Sequence, residues 1–449
     1  MKLSFKNNRW FGLLIVLGIS NQVMAQETLN LDFRQAVDIA LSKNLNYKIQ
    51  ENNMLVLEKE KQVSIASHLP NANLTTSFLR QSGQQFQQVE GEIVVTNVTN
   101  KIVSSGFSMN MPLFNSGRRI LDTQSSRLAY QAGEKAMERA KQQVVFDVAR
   151  RYLQVLLDKE LVRIAEQNRD NQKQQLTQID GFVNAGLRTI SDLYNQQSEV
   201  ARVESVVVDA QVQLENDLWD LAEYLQLQVG VAPELAPVDP FLRQDSFDGI
   251  EMAQLYELAQ SNRADRNQQE LLMTATKKDM QAIKAMYFPR LSAFYNYNTF
   301  FTSLDDRNLS EQLLKVYPQN TLGLALAIPI FNNFNARLDV SRSKVDYQNQ
   351  ILRKESIDRK IYQEVKLANQ NYKAAIQKEK NTQVQVLAAK EAKNAVQERF
   401  RLGISNFVDL STANQQLVNA QADQAQAIYT LFFQEILMKH AVGTLEISE

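Results

Sequence analysis

No cysteine occurs in the 449 residues. That excludes disulfides, thiol chemistry and lipid attachment through an N-terminal cysteine. Two histidines are too few for a histidine-rich metal site. Lys and Arg number 49 against 50 Asp and Glu, so no excess of one sign is available to hold a nucleic acid. No apolar run reaches the eighteen or so residues that a transmembrane helix needs. Phosphate loops, metal-spaced ligands and nucleophile–base pairs are absent as well. The chain is therefore not expected to be an enzyme, and no catalytic residue, metal or cofactor is assigned. His68 and His440 read as structural or surface groups. Only 8 Pro and 14 Gly interrupt the chain, which points to long unbroken elements.

What is present begins with an address. Lys2, Lys6 and Arg9 precede the apolar run Trp10 to Ile19, and Val23-Met24-Ala25 ends in a small residue. This order reads as an export signal over residues 1–25, cleaved after Ala25.

The remainder repeats one plan at a spacing of about 217 residues. Pro112-Leu113-Phe114-Asn115 matches Pro329-Ile330-Phe331-Asn332, and Gly186, Asp192 and Leu193 match Gly403, Asp409 and Leu410. With a small gap, His68-Leu69-Pro70 matches Tyr287-Phe288-Pro289. The expected division is a first repeat over 26–230, a linker over 231–248 containing Pro233, Pro237 and Pro240, a second repeat over 249–443 and a tail over 444–449.

In each repeat a very long helix is expected, over about 116–180 and 335–400. The helices after the glycine turns carry heptad rows. Leu193, Val200, Val207, Leu214 and Leu221 form one. Leu410, Leu417, Gln424, Leu431 and Met438 form the other, with Ala413, Ala420 and Ala427 three residues on. Residues 145–164 carry two apolar rows, as in the wall of a tube. A plain soluble coiled-coil bundle fits the helices equally well.

Short segments alternate apolar and polar residues. The strands are expected over 71–89, 101–111, 290–301 and 319–330, with loops over about 83–100 and 302–318. Val103, Phe107, Met109 and Met111 share one face, and Ser104, Gly106, Ser108 and Asn110 the other. Such segments are the mark of outer-membrane strands. Four strands are too few to close a membrane barrel, so several chains must combine. Two chains give eight strands and three give twelve, and the arithmetic does not choose.

Over residues 28–443 these motifs resemble the TolC family of bacterial outer-membrane efflux proteins. The resemblance rests on Pro112/Phe114/Asn115 with Gly117-Arg118, on Pro329/Phe331/Asn332 and on two turns. The turns are Val183-Asn184-Ala185-Gly186-Leu187-Arg188-Thr189-Ile190-Ser191-Asp192-Leu193 and Phe400-Arg401-Leu402-Gly403-Ile404-Ser405-Asn406-Phe407-Val408-Asp409-Leu410. It implies a mostly α fold with a small membrane β part. Duplicated long helices would form a periplasmic α-barrel, and a homotrimer would share a 12-stranded β-barrel in outer-membrane lipid. The implied function is a passive outer-membrane exit duct for efflux or type I secretion. It would work with a periplasmic adaptor and an inner-membrane RND or ABC pump. Gly186, Leu187, Gly403 and Ile404 become candidate adaptor contacts, and Asp409 with Thr412 the candidate pore gate. Phe400 and Ser405 stand where the family carries a Tyr and an Arg that join polar bridges at the tip. Helix capping is the competing role for Asp192 and Asp409. The competing function is a periplasmic coiled-coil adaptor or scaffold.

Overall fold

The computed structural model describes residues 29–445, apart from 90–91, 229, 232 and 238–246. The expected export signal, the middle of the linker and the end of the tail lie outside the described residues.

The chain starts with a short strand β1 (Leu29–Leu31), then α1 (Phe33–Lys43) and α2 (Leu45–Ala66). A long hairpin follows, β2 (Asn71–Val89) and β3 (Glu92–Phe114). Helix α3 (Arg118–Asn184) and α4 (Ile190–Tyr224) close the first half. The second half begins with β4 (Pro233–Leu235), which pairs in parallel with β1. It continues with α5 (Met252–Asn262), α6 (Ala264–Lys284) and β5 (Arg290–Thr302). A single turn α7 (Leu309–Glu311) leads through a π-helical turn to β6 (Gln319–Ala327). Helices α8 (Asn335–Arg401) and α9 (Phe407–Val442) complete it.

The two halves match closely. Helices α3 and α8 are each 67 residues long, about 100 Å at 1.5 Å per residue. Each is entered through two successive left-handed residues: Ser116 and Gly117 at φ 56° and 78°, Asn333 and Phe334 at 51° and 60°. A left-handed phenylalanine costs about 1–2 kcal/mol. Phe334 accepts it while packing edge-on against Phe331 at 5.6 Å.

The heptad rows are the core. Val200, Val207 and Leu221 are buried on α4, and Leu410, Ala413, Ala420, Ala427, Leu431 and Met438 on α9. Both rows of the 145–164 segment are covered, with Val145, Val148, Tyr152 and Val155 on one side and Leu153, Leu157 and Ile164 on the other. The Tyr152 hydroxyl lies 2.7 Å from the Ala236 carbonyl and 3.1 Å from that of Leu31, tying α3 to the β1–β4 ribbon.

The sheet runs in the order β2-β3-β5-β6, antiparallel throughout. Several expected boundaries change: β3 ends at Phe114 rather than 111 and β5 at Thr302 rather than 301, and two shifts are larger. Strand β3 starts at Glu92 rather than 101, so residues 83–100 are not a loop: β2 and β3 stay paired up to Val89 opposite Glu92. The β-branched residues Val95, Thr96, Val98 and Thr99 favour this extended form. Strand β6 ends at Ala327 rather than 330, just before Pro329, which has no N–H to donate to a ladder.

Register fixes the faces, because cross-strand partners share one and alternate residues change it. One face carries Leu74, Phe78, Val103, Phe107, Met109, Tyr295, Tyr297, Phe301, Leu322, Leu324 and Leu326. The other carries Asn73, Thr75, Ser77, Ser104, Ser108, Asn110, Asn296 and Asn298. Leu79, Ile102, Phe300 and Phe294 break the polar pattern, and Gly323 opposite Phe294 makes room for it: a Cβ there would lie 2.6 Å from the ring. No helix among the described residues is long and apolar enough to cross a membrane.

Candidate functional site: the helical tips

Far from the sheet, each helical hairpin reverses over a few residues. The reversals are copies of one another. Gly186 N–H donates to Val183 O at 2.9 Å and Leu187 N–H to Phe182 O at 2.8 Å. Gly403 N–H donates to Phe400 O at 3.0 Å and Ile404 N–H to Arg399 O at 2.9 Å. This is the six-to-one closure that ends a helix on a left-handed residue. Gly186 and Gly403 supply it at φ 73° and 76°. A Cβ on either would meet nothing within 4 Å, so the backbone angle demands glycine and crowding does not.

Leu187 and Ile404 follow the two glycines and point outward, 70% and 65% exposed. Leu402, Ile190, Tyr194 and Val408 add further exposed apolar surface. Beneath it, Ile179, Phe400 and Leu410 form a small sealed core with Val183, Leu193 and Val396 around them.

The helix starts differ in chemistry. Thr189 caps α4 in a reciprocal box: its Oγ1 accepts the Asp192 N–H at 3.3 Å, and Asp192 Oδ2 accepts the Thr189 N–H at 3.3 Å. In α9 the cap is Asn406, whose Oδ1 accepts the Asp409 N–H at 2.9 Å. The Asp409 carboxylate accepts no backbone N–H there; the Ser405 hydroxyl donates to it at 2.8 Å. Asp409 and Thr412 are both exposed, three residues apart on one face of α9. The capping role expected of Asp192 and Asp409 thus belongs to the residues three positions earlier, Thr189 and Asn406; Asp192 shares in it through the box and Asp409 does not.

Arg188 was missed. It reaches from the first turn to the second hairpin, where its guanidinium carbon lies 4.1 Å over the Phe400 ring and one Nη donates to the Phe400 carbonyl. Two further bonds join the hairpins above it, Arg202 Nη2 to Gln415 Oε1 at 2.7 Å and Asn414 Nδ2 to Gln175 Oε1 at 3.2 Å. Pairings across more than 200 residues leave no local signal.

Two pairs of long helices and a sheet with one apolar face are the features to compare with known proteins. The family model for outer membrane efflux proteins matches residues 38–225 and 255–444. The chain belongs to that family: it is an outer-membrane exit duct with a periplasmic helical portion. The family and its outer-membrane location decide against a periplasmic adaptor or scaffold. The chain is 21% identical over 377 residues to the outer membrane protein TolC of Escherichia coli K12, covering 81% of this chain and 74% of that one. With TolC of Vibrio cholerae the identity is 23% over 381 residues, covering 84% and 82%. Among solved structures, CusC superposes with a TM-score of 0.79 at 18% identity, covering 93% of each chain. VceC from Vibrio cholerae gives 0.78 at 13% identity, covering 92% of this chain and 96% of that one.

Proposed function

We propose that three copies of this chain close into one duct. Its twelve-stranded barrel would cross the outer membrane and its helices would form a single periplasmic tunnel. The observation that carries this reading is α2. It is a 22-residue helix with no buried residue, yet Leu55, Val56 and Val63 lie on it more than half exposed. Its counterpart α6 packs between α3 and α8, whereas α2 packs on α3. The repeat supplies the missing neighbour. What α6 finds in α3 of the other half, α2 would find in α8 of the next copy. Leu338, Val345, Ile351 and Leu352 on α8 are exposed to receive it. Three such steps close a ring whose apolar strands face lipid and leave no open sheet edge.

The duct is passive. Its contents arrive from an inner-membrane RND or ABC pump through a periplasmic adaptor that docks at the tips. Leu187 and Ile404, held outward by Gly186 and Gly403, are the adaptor contacts. Asp409 and Thr412 form the ring that narrows the tunnel end, and Asp409 gives it cation preference. The cargo is small molecules or polypeptides. Native mass measurement of detergent-extracted protein tests the assembly: a complex of three chains is expected, and a monomer or dimer as the sole species overturns it. Capture of an adaptor and a pump by the tagged chain in its own cell tests the docking. Unchanged capture after Leu187→Asp with Ile404→Asp overturns the assigned contacts.

A further inference from the structure

Arg80 on β2 and Lys101 on β3 are direct cross-strand partners, and both are exposed. Like charges placed opposite each other in an antiparallel pair repel. Neither makes an ion pair with a carboxylate among the described residues. Of the three acids in the adjoining loop, Asp305 is bonded to Arg307 at 2.5 Å and to the Tyr317 hydroxyl at 2.7 Å, and neither Asp306 nor Glu311 pairs with these two cations. The fold therefore gains nothing from bringing these two cations together.

Their height on the sheet gives them a purpose. Along the apolar face the rows run upward from Phe114, Leu291 and Leu326, through Met111, Ala293 and Leu324, to Met109, Tyr295 and Leu322. Then come Leu74, Phe107 and Tyr297, followed by Thr76, Ser105 and Thr299, and finally Phe78, Val103 and Phe301. The hydroxyl row does not break the belt: Thr76 and Ser105 bond each other at 2.8 Å, and Thr299 donates to Leu313 O at 2.7 Å. Five two-residue steps span about 34 Å of strand, or about 25 Å of height at the usual tilt, which matches the apolar band of an outer-membrane barrel. Arg80 and Lys101 sit one step above the top row, at the end away from the helices. That is the headgroup level of the outer leaflet.

We propose that Arg80 and Lys101 together hold the phosphate group of an outer-leaflet lipid. The guanidinium fork grips two phosphate oxygens and the ammonium supplies a second charge. The bound anion removes the repulsion that the empty pair carries. This inference rests on the reading that the apolar face meets lipid.

The test uses the purified full-length protein in phosphatidylcholine vesicles doped with diphosphorylated lipid A or with the same lipid A lacking phosphates. Lipid retained after extraction is measured by native mass spectrometry. Wild type is expected to prefer the phosphorylated form, by about fivefold for each cation. Arg80→Gln with Lys101→Gln should abolish the preference while inserting as well as wild type. It should be no less heat-stable in lipid-free detergent, since it removes a repulsion, and Arg80→Lys should keep part of the preference. Equal retention of both lipids by wild type, or an undiminished preference in the double variant, overturns the proposal and leaves the duct intact. Stabilisation by inorganic phosphate alone equal to that by phosphorylated lipid identifies a free-anion site and also overturns it. Failure of wild type to insert at all overturns the lipid-facing reading together with the proposal.

Discussion

Arg188 and Phe400 join the tips of two hairpins that lie 212 positions apart in the chain. The guanidinium covers the ring at 4.1 Å and bonds the carbonyl of the same residue, so one side chain holds both the face and the backbone of its partner. A cation–π contact at a partly exposed site contributes about 0.5–1 kcal/mol. Arg188→Ala should leave the duct assembled and loosen the second tip. Faster amide exchange over residues 400–410 and higher conductance in planar bilayers are the expected readings. Arg188→Lys should fall between, because lysine keeps the charge and loses the fork.

Asp409→Asn keeps the shape of the α9 start, since Asn406 rather than Asp409 caps it. Trimers should form normally and lose part of their preference for cations over anions. Reversal potentials in a salt gradient measure this. An unchanged preference in assembled channels removes Asp409 from the gate.

Gly186 and Gly403 separate turn geometry from docking. A side chain at either meets open space, so the cost is the left-handed backbone, about 1–2 kcal/mol. Gly403→Leu should therefore leave trimers intact and weaken adaptor capture. Loss of the trimers themselves would assign the glycine a purely structural role.

Two buried groups give stability opposite dependences on pH. The His440 ring stacks on Phe146 at 4.6 Å, and its Nε2 is sealed from water without a partner. Burial first, then Arg139 and Arg263, push it down to about 3. Its neutral form is the folded one, so its contribution is complete above pH ~6.5, the ordinary histidine value, and is lost as pH falls through about 3. Asp158 is pushed up to about 7, by burial first and then by the neighbouring Asp217. Its contribution is complete below the ordinary carboxylate value and is lost as pH rises through about 7. His440→Phe should flatten the acid limb of a melting-temperature profile, and Asp158→Asn should raise the melting temperature above pH 7. Curves parallel to wild type would contradict both assignments.

Much of the fold was legible because it is periodic and duplicated. The rows through Leu193 and Leu410 told the helix faces, and Pro112 and Pro329 marked where sheet yields to helix. The strand over 71–89 was legible to its last residue, but the start of β3 was not: residues 92–100 read as loop, and only pairing with the glutamine-rich end of β2 makes them a strand. The tip was half legible. Gly186 and Gly403 announce their turns through a local backbone demand. Arg188 announces nothing, because its partner is brought to it by packing of whole hairpins.

The closed ring of three is most directly tested by a cross-link that the repeat itself predicts. Within the chain, Ser125 on α3 donates to Ala275 O on α6 at 3.1 Å. Carried over by the repeat, with Pro112 matching Pro329 and Pro70 matching Pro289, this contact becomes Arg342 on α8 against Val56 on α2 of the next copy. Both residues are exposed, and the chain has no cysteine to interfere. After mild oxidation in the outer membrane, Val56→Cys with Arg342→Cys should give a denaturing-gel ladder that ends at three chains, with neither single variant cross-linking. A ladder ending at two, or chains that stay single in the membrane, would contradict the three-chain duct.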